Sequence, residues 1–205
     1  MGKIMKIVKR LLLLFFLLLI IGLGYLGFKI RQNVQQVMTY ESEVEQAVKA
    51  NNIPEHKDLV LAIIYTESKG RTEDLMQSSE SAYGKRQMIG TTKESIETGV
   101  AFLAQSIEKA NEAGCDIWTA VQAYNFGLDY IDFVKERGGK TSIRIAEEYS
   151  KEVLSPILGN TNQKTYRYYR PQAVIYNGGY LYSNGGNMFY ADLVKMNQQF
   201  IKWLK

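Results

Sequence analysis

The sequence predicts a mainly α protein, an orthogonal helical globule with a small loop or β-hairpin insertion, preceded by one transmembrane helix. Three observations support this prediction. A long apolar run lies near the N-terminus, apolar residues recur at helical spacing through most of the remainder, and short polar or glycine-containing breaks separate the helical segments. Helices of this length joined by short loops fit orthogonal packing better than an up-and-down bundle.

The N-terminal segment has the features of a membrane anchor. Residues 11–28 form an uncharged, mostly aliphatic run that would span roughly 27 Å as a helix, close to the hydrocarbon thickness of a bilayer. Basic residues are more numerous on its N-terminal side, which predicts a single-pass protein of the cell membrane with a cytoplasmic N-terminus and an extracellular remainder. The alternative is a cleaved signal peptide, with a weak site at Gly22-Leu23-Gly24.

These features divide the chain into three parts. Residues 1–31 are predicted to form a cytoplasmic stub and the anchor, residues 32–52 a stalk and first helix, and residues 53–205 the main domain. The second part has apolar residues at helical spacing, namely Val34, Val37, Tyr40, Val44 and Val48. A flexible tether over residues 32–39 is the alternative.

The composition argues against several classes of function. The formal net charge is +4, but six of the 25 basic residues lie before residue 32 with no acidic residue among them. The remainder is close to neutral, so no nucleic-acid partner is expected. Cys115 is the sole cysteine and His56 the sole histidine, which excludes an intrachain disulfide, a cysteine-based metal cluster and most histidine-dependent sites. We expect no metal and no cofactor.

A short buried helix is predicted beside an acidic residue. Residues 59–65 are apolar on every side of a helix. Pro54 suits its first turn and Gly70 its end, which predicts a helix over residues 55–69. Glu67 then lies in the last turn, where burial and the helix dipole both raise the pKa of a carboxyl group. A glutamic acid that keeps its proton near neutral pH can act as a general acid; the alternative is a glutamate that simply points into water.

Residues 70–92 are predicted to form an irregular polar loop, and a loop this long in a compact domain is usually functional. Thr91 and Glu94 have the form of a capping box that begins the next helix. Further helix caps are expected at Asp116 and Ser142.

The C-terminal part contains many aromatic residues and two glycine-rich turn signals. A short hairpin is predicted within residues 173–182. The last helix is predicted over residues 187–204, with a buried stripe of Phe189, Leu193, Met196, Phe200 and Trp203.

Three short motifs carry candidate chemistry: Thr66-Glu67-Ser68, Leu75-Met76-Gln77-Ser78-Ser79 and Gln122-Ala123-Tyr124-Asn125-Phe126-Gly127. A tyrosine ring can stack on the apolar face of a sugar, and an asparagine amide can bind hydroxyl or N-acetyl groups. The alternative for Tyr124 and Asn125 is a helix C-terminus with a core tyrosine.

In this order the motifs resemble those of the soluble lytic transglycosylase and goose-type lysozyme superfamily, and most closely its CwlT-like lysozyme branch of the pneumococcal vaccine antigen A type. In that branch the glutamate is followed by Met-Gln-Ser-Ser-Glu-Ser, as in residues 76–81, and then by Gln-Ala-Tyr-Asn-Phe-Gly, as in residues 122–127. The resemblance covers about residues 41–205. The combination of motifs is specific evidence for this branch, whereas any one motif alone is weak evidence.

The resemblance implies a lysozyme-like catalytic domain that acts on peptidoglycan glycan strands, with cell-wall or transfer-complex proteins as further candidate partners. Glu67 would be the catalytic acid that protonates the glycosidic oxygen between N-acetylmuramic acid and N-acetylglucosamine. The substrate-binding residues would be Met76, Gln77, Ser78, Ser79, Tyr124 and Asn125.

The mechanism is left open by the sequence. A two-carboxylate hydrolase needs a second acidic residue, for which Glu80, Asp74 and Asp129 are candidates. Glu80 is the best placed because it lies in the motif loop, although it can also be a structural carboxylate. Without a partner, Glu67 could serve as acid and then as base, and the product would be the 1,6-anhydro sugar of a lytic transglycosylase. A non-catalytic glycan-binding or scaffold protein is the third alternative.

Overall fold

The structure is a computed structural model that describes residues 2–78 and 90–205. The helices are α1 (Gly2–Met38), α2 (Glu41–Ala50), α3 (Lys57–Glu67), α4 (Thr92–Glu112), α5 (Ile117–Phe126), α6 (Asp129–Lys135), α7 (Ile143–Tyr149), α8 (Ser155–Ile157), α9 (Pro171–Asn177) and α10 (Tyr190–Leu204). The strands are β1 (Thr165–Arg167) and β2 (Tyr180–Tyr182). The prediction of a mainly α fold with a small β insertion and one long N-terminal apolar helix is confirmed.

Helix α1 is long and apolar enough to cross a membrane, and its apolar N-terminal part is exposed throughout. Its C-terminal end belongs to the core, because Val34 and Val37 are fully buried. The residues considered for a stalk or tether are therefore helical as far as Met38, and they pack against α3 and α10. The division of the chain at residues 31 and 52 stays a prediction.

Helix α3 lies at the centre of the domain, and residues 59–65 are all buried. The helix is shorter than predicted: residues 54–56 form a 3-10 turn before it, and Glu67 is its last residue. The backbone then reverses through Lys69 and Gly70, which both have positive φ angles, so two residues share the left-handed end that was expected of the glycine alone.

The expected caps begin three of the following helices. The side chains of Thr91, Asp116 and Ser142 each accept a hydrogen bond from the backbone N–H three residues later, at the start of α4, α5 and α7. The apolar face of α4 is buried, at Ile96, Val100, Leu103 and Ile107. Helix α7 is followed directly by a π-helical turn over Ser150–Leu154.

The predicted position of the hairpin is partly wrong. Strand β2 lies inside the expected segment, but it pairs antiparallel with β1, so that Thr165 is opposite Tyr182 and Arg167 is opposite Tyr180. The residues between the two strands include helix α9, which begins at Pro171 and ends before Gly178 in the left-handed conformation. Proline at the start and glycine after the end are helix signals that outweigh the β propensity of this segment.

The last helix begins at Tyr190, three residues later than predicted. The predicted buried stripe is partly right, because Phe189 and Leu193 are buried and Phe200 is partly buried. Its buried residues are Tyr190, Ala191, Leu193, Val194, Asn197 and Ile201. Trp203 and Met196 are 73% and 38% exposed. Two of the inward residues, Tyr190 and Asn197, are polar and bond to the end of α3, so a search for apolar spacing could not find them.

Candidate active site

Glu67 ends α3 beside a buried phenol. The hydroxyl group of Tyr190 donates a hydrogen bond of 2.6 Å to Glu67 Oε1. Burial raises the pKa of Glu67 from 4.5 to about 7, and the charge of Asp74 adds to the increase, whereas the Tyr190 hydrogen bond lowers the pKa. The pKa of Glu67 is therefore raised, as the sequence predicted, and desolvation is the largest cause.

Tyr190 is held by a second tyrosine from the Ala-Tyr-Asn motif. The rings of Tyr124 and Tyr190 stack with 6.3 Å between their centroids and 9° between their planes. The Tyr124 hydroxyl donates a 3.0 Å hydrogen bond to the carbonyl oxygen of Met76. Burial, together with the neighbouring Glu67 carboxylate, keeps the pKa of both phenols well above 10, so both remain protonated donors. The three motifs therefore meet around Glu67.

The loop after α3 is fixed to α4 through Asp74. Its Oδ1 accepts hydrogen bonds from Ser95 Oγ at 2.7 Å and from the backbone N–H of Ser78 at 3.0 Å. The backbone N–H of Met76 donates to Ser95 Oγ at 3.0 Å, and the hydroxyls of Ser78 and Thr98 are 2.9 Å apart. This network connects the Met-Gln segment to α4.

The end of α5 is hydrogen-bonded to the segment that leads into α10. The Gln122 amide donates to the carbonyl oxygen of Asn187 at 2.9 Å and accepts from the N–H of Ala191 at 3.1 Å. Asn125 Oδ1 accepts a 2.7 Å hydrogen bond from the N–H of Asn187. Gln122 and Asn125 therefore fix the segment that carries Tyr190.

The predicted site residues have different surroundings. Ser79 and Glu80 lie outside the described residues. Met76 and Ser78 are 0% and 1% exposed, so their side chains support the loop from inside and expose almost no surface to a ligand. Gln77 is exposed, with a left-handed φ of 49°. The binding roles of all these residues stay predictions.

Comparison with known proteins places this geometry in a family. The lysozyme-like family model matches residues 34–198. The chain belongs to the lysozyme-like family. The resemblance inferred from the three motifs is thereby confirmed, and the helical domain that surrounds Glu67 is a lysozyme-like domain.

Similar proteins come from several bacteria. The pneumococcal vaccine antigen A homolog of Streptococcus pyogenes serotype M1 is 49% identical over 178 residues, which cover 87% of this chain and 89% of that protein. The bifunctional muramidase/DL-endopeptidase CwlT of Bacillus subtilis is 32% identical over 116 residues, which cover 57% of this chain and 34% of that protein.

A similar fold is found in a solved structure of a staphylococcal protein. It is the crystal structure of a lipoprotein-like protein of the NLP/P60 family from Staphylococcus aureus, with a TM-score of 0.73 and 33% identity. The match covers 80% of this chain and 52% of that chain, so the present chain spans about half the length of the staphylococcal protein.

Sequence reasoning missed Tyr190, the residue that bonds directly to Glu67 in this lysozyme-like domain. It also missed Ser95 and Asn187, which orient the two loops around the site. A tyrosine in the first turn of an amphipathic helix carries no motif, and its partner is 123 positions away in the sequence. Only the tertiary packing of α10 on α3 brings the two together.

Gly99 of α4 is expected to tolerate no side chain. A Cβ atom there would lie 2.7 Å from Met76 Sδ and 2.9 Å from the Tyr124 hydroxyl. We expect Gly99→Ala to lower the free energy of unfolding by about 1–3 kcal/mol through overpacking, despite the better helix propensity of alanine. Denaturant unfolding measures this, with Gly90→Ala as the control because no atom lies within 4 Å of a Cβ at Gly90. Equal stability of the two variants would contradict the packing argument.

Proposed function

We propose that this protein is a membrane-anchored hydrolase of peptidoglycan glycan strands, an N-acetylmuramidase in which Glu67 is the general acid. The observation that carries the proposal is the Glu67 carboxyl group, which has a pKa of about 7 and sits where three motif segments meet. Membership of the lysozyme-like family supports a glycan substrate, and one relative is named a muramidase.

Glu67 protonates the oxygen of the bond between N-acetylmuramic acid and N-acetylglucosamine. Near neutral pH much of the group is still protonated, because its partly buried position disfavours the carboxylate. Tyr190 donates to Oε1, so this hydrogen bond fixes the orientation of the carboxyl group and leaves Oε2 to carry the proton. This division of roles between the two oxygens suits proton donation to a leaving group.

The sugar next to the cleaved bond contacts the turn at Tyr124 and Asn125 and the exposed amide of Gln77. Support comes from the exposure of Gln77 and the partial exposure of Asn125, both on segments that adjoin Glu67. Tyr124 is 8% exposed, its hydroxyl donates to the Met76 carbonyl oxygen, and its ring stacks on Tyr190. We therefore assign it two roles: it positions Tyr190 and the Met76 carbonyl, and its exposed edge contacts the sugar.

The N-terminal helix anchors the protein as a single membrane span, with the N-terminus in the cytoplasm and the lysozyme-like domain outside. An exposed apolar stretch and the excess of basic residues before it support this orientation. Glycan strands outside the membrane are then within reach. Cell-wall or transfer-complex proteins remain further candidate partners.

A lytic transglycosylase is the second candidate, and the surroundings of Asp74 favour it. Asp74 was a candidate second carboxylate, but its Oδ1 accepts the bonds of Ser95 and Ser78 that hold the loop. Asp129 begins α6, and its charge adds to the effect of burial in raising the pKa of Tyr149. Glu80 is then the remaining candidate for the second carboxylate of a hydrolase. If Glu80 does not serve in this way, Glu67 must act first as acid and then as base, as in a lytic transglycosylase.

Mass spectrometry of digested peptidoglycan tests the proposal. We expect the full-length chain in detergent to release fragments with reducing N-acetylmuramic acid ends. Fragments with 1,6-anhydro ends would replace the hydrolase by the transglycosylase. Intact strands that nevertheless retain the protein would favour the non-catalytic glycan-binding alternative.

Burial and the Tyr190 hydroxyl act in opposite directions on the pKa of Glu67, which sets the pH range of the reaction. Cleavage is expected to fall as the pH rises through about 7, because Glu67 must be protonated to act as an acid. Tyr190→Phe removes a hydrogen bond that lowers the pKa of Glu67, so its alkaline limit should move to higher pH. Rates measured between pH 5 and pH 9 test this, with Tyr176→Phe as the control because Tyr176 bonds instead to Glu147. A limit that moves to lower pH would contradict the assignment.

A further inference from the structure

Helix α1 runs without interruption from the apolar segment into the folded domain. Its last turns carry Val34 and Val37, both fully buried, whereas the residues around them are exposed or partly buried. A flexible tether would expose these valines. The anchor is therefore built into the core of the domain.

Polar contacts fix this end of α1 to the segment just after Glu67. Arg71 Nη2 donates to Asn33 Oδ1 over 2.6 Å, and Gln36 Nε2 donates to the carbonyl oxygen of Gly70 over 3.0 Å. Asn33 Nδ2 also lies 3.4 Å from the hydroxyl of Tyr65. Gly70 and Arg71, which directly follow α3, therefore contact the C-terminal end of α1.

Gly70 allows this close approach. It has a φ of 72°, and a Cβ atom there would lie 3.3 Å from the backbone oxygen of Gln36 and 3.3 Å from the Tyr40 ring. The segment after α3 therefore packs closely against Gln36 and Tyr40, and a larger residue in place of Gly70 would have to displace them.

The height of the site above the membrane follows from helix geometry. Lys29 marks the end of the apolar run, and Asn33 lies one helical turn beyond it, a rise of about 6 Å. Asn33 contacts Tyr65, and Tyr65 is two residues before Glu67, a further rise of about 3 Å along α3. With side-chain lengths added, Glu67 lies on the order of 20 Å or less from the bilayer surface, and tilting of α1 lowers it further.

We infer that α1 and the lysozyme-like domain form one rigid unit that restricts cleavage to glycan at the membrane surface. The strands within reach are those that a membrane-bound polymerisation of lipid-linked sugars delivers, and the outer layers of the wall are out of reach. This inference rests on the proposed function. Its geometric part can be measured without any activity.

Energy transfer in vesicles tests the geometry. A donor dye is attached to Glu73→Cys in a Cys115→Ser background, because Glu73 is exposed in the loop after Glu67. Acceptors are placed on lipid headgroups. A matched protein carries a 20-residue glycine-serine insertion between Arg31 and Gln32, which adds a mean reach of roughly 25 Å. We expect transfer to fall about two-fold in the insertion protein, and equal transfer would overturn the rigid placement.

The second measurement concerns the product. Glycan strands are polymerised from lipid-linked precursor on the same vesicles, and the stubs left on the lipid after cleavage are sized. The unmodified chain should leave short stubs of narrow length distribution, and the flexible insertion should leave longer and more variable stubs. A seven-residue alanine-rich helical insertion, which adds about 10 Å, should lengthen the stubs without broadening them.

The outcomes separate the two proposals. Identical stubs from all three proteins would overturn the membrane-surface restriction while supporting glycan cleavage. Absence of cleavage by every protein would contradict the proposed function, and the energy transfer would still decide whether the anchor holds the site near the bilayer.

Discussion

Glu67→Gln is expected to reduce glycan-strand cleavage by roughly 10²–10⁴-fold, the usual contribution of a positioned general acid. Glutamine keeps the shape of the side chain and can still accept the hydrogen bond from Tyr190, but it has no proton to give to the glycosidic oxygen. Initial rates of fragment release from purified peptidoglycan at pH 6, with the full-length chain in detergent, measure the loss.

Glu73→Gln is the matched control, because it makes the same chemical change six positions later on an exposed side chain. It should cleave at the unmodified rate. Retention of Glu67→Gln on insoluble peptidoglycan should be unchanged, since the substitution removes a proton and no binding surface. Cleavage by Glu67→Gln at the rate of the control would remove Glu67 from its proposed role.

The fold was predictable where local chemistry and burial agree. Thr91, Asp116 and Ser142 cap their helices because a short polar side chain before an apolar run has one favourable place for its oxygen. The seven residues from Leu59 to Tyr65 have no polar face, so they had to lie at the centre of the domain. Local sequence therefore specified these helices and their approximate limits.

The prediction failed where polar residues face inward. Tyr190 and Asn197 are on the buried face of α10, because Glu67 and Thr66 supply their hydrogen bonds. A search for apolar spacing rejects such a face and selects Met196 and Trp203, which are exposed. The hairpin failed for a related reason, since the partner of β2 lies before helix α9 and not beside it in the sequence. Pairings over such separations depend on the tertiary fold.

The candidate site was predictable in its parts and not in its arrangement. The motifs contain Glu67, Met76 and Tyr124, but nothing in their spacing predicts that the Tyr124 hydroxyl bonds to the Met76 carbonyl oxygen. The pKa of Glu67 was expected to rise through burial and the helix dipole. The structure adds Tyr190 and Asp74, which act on that pKa in opposite directions. Both residues lie outside the three motifs.

The same acidic group should make the protein less stable as the solution becomes alkaline. The pKa of Glu67 is about 7 in the folded protein against an ordinary value of 4.5, a difference equivalent to about 3 kcal/mol. Below pH 4.5 the group is protonated in both states and costs nothing. As the pH rises towards 7, the unfolded chain ionises while the folded protein still holds the proton, so the free energy of unfolding falls, and the full loss is reached above pH 7.

Glu67→Gln should therefore stabilise the protein, by about 2–3 kcal/mol at pH 8 and by little at pH 4, because glutamine has no charge to bury. Denaturant unfolding of both proteins at a series of pH values between 4 and 8 measures the difference, in which the titration of all other groups cancels. Glu73→Gln is the control, because it makes the same chemical change on an exposed side chain. A constant difference between Glu67→Gln and the unmodified chain across this range would mean that Glu67 ionises normally in the folded protein. The carboxyl group would then lack the proton that the proposed reaction needs at neutral pH.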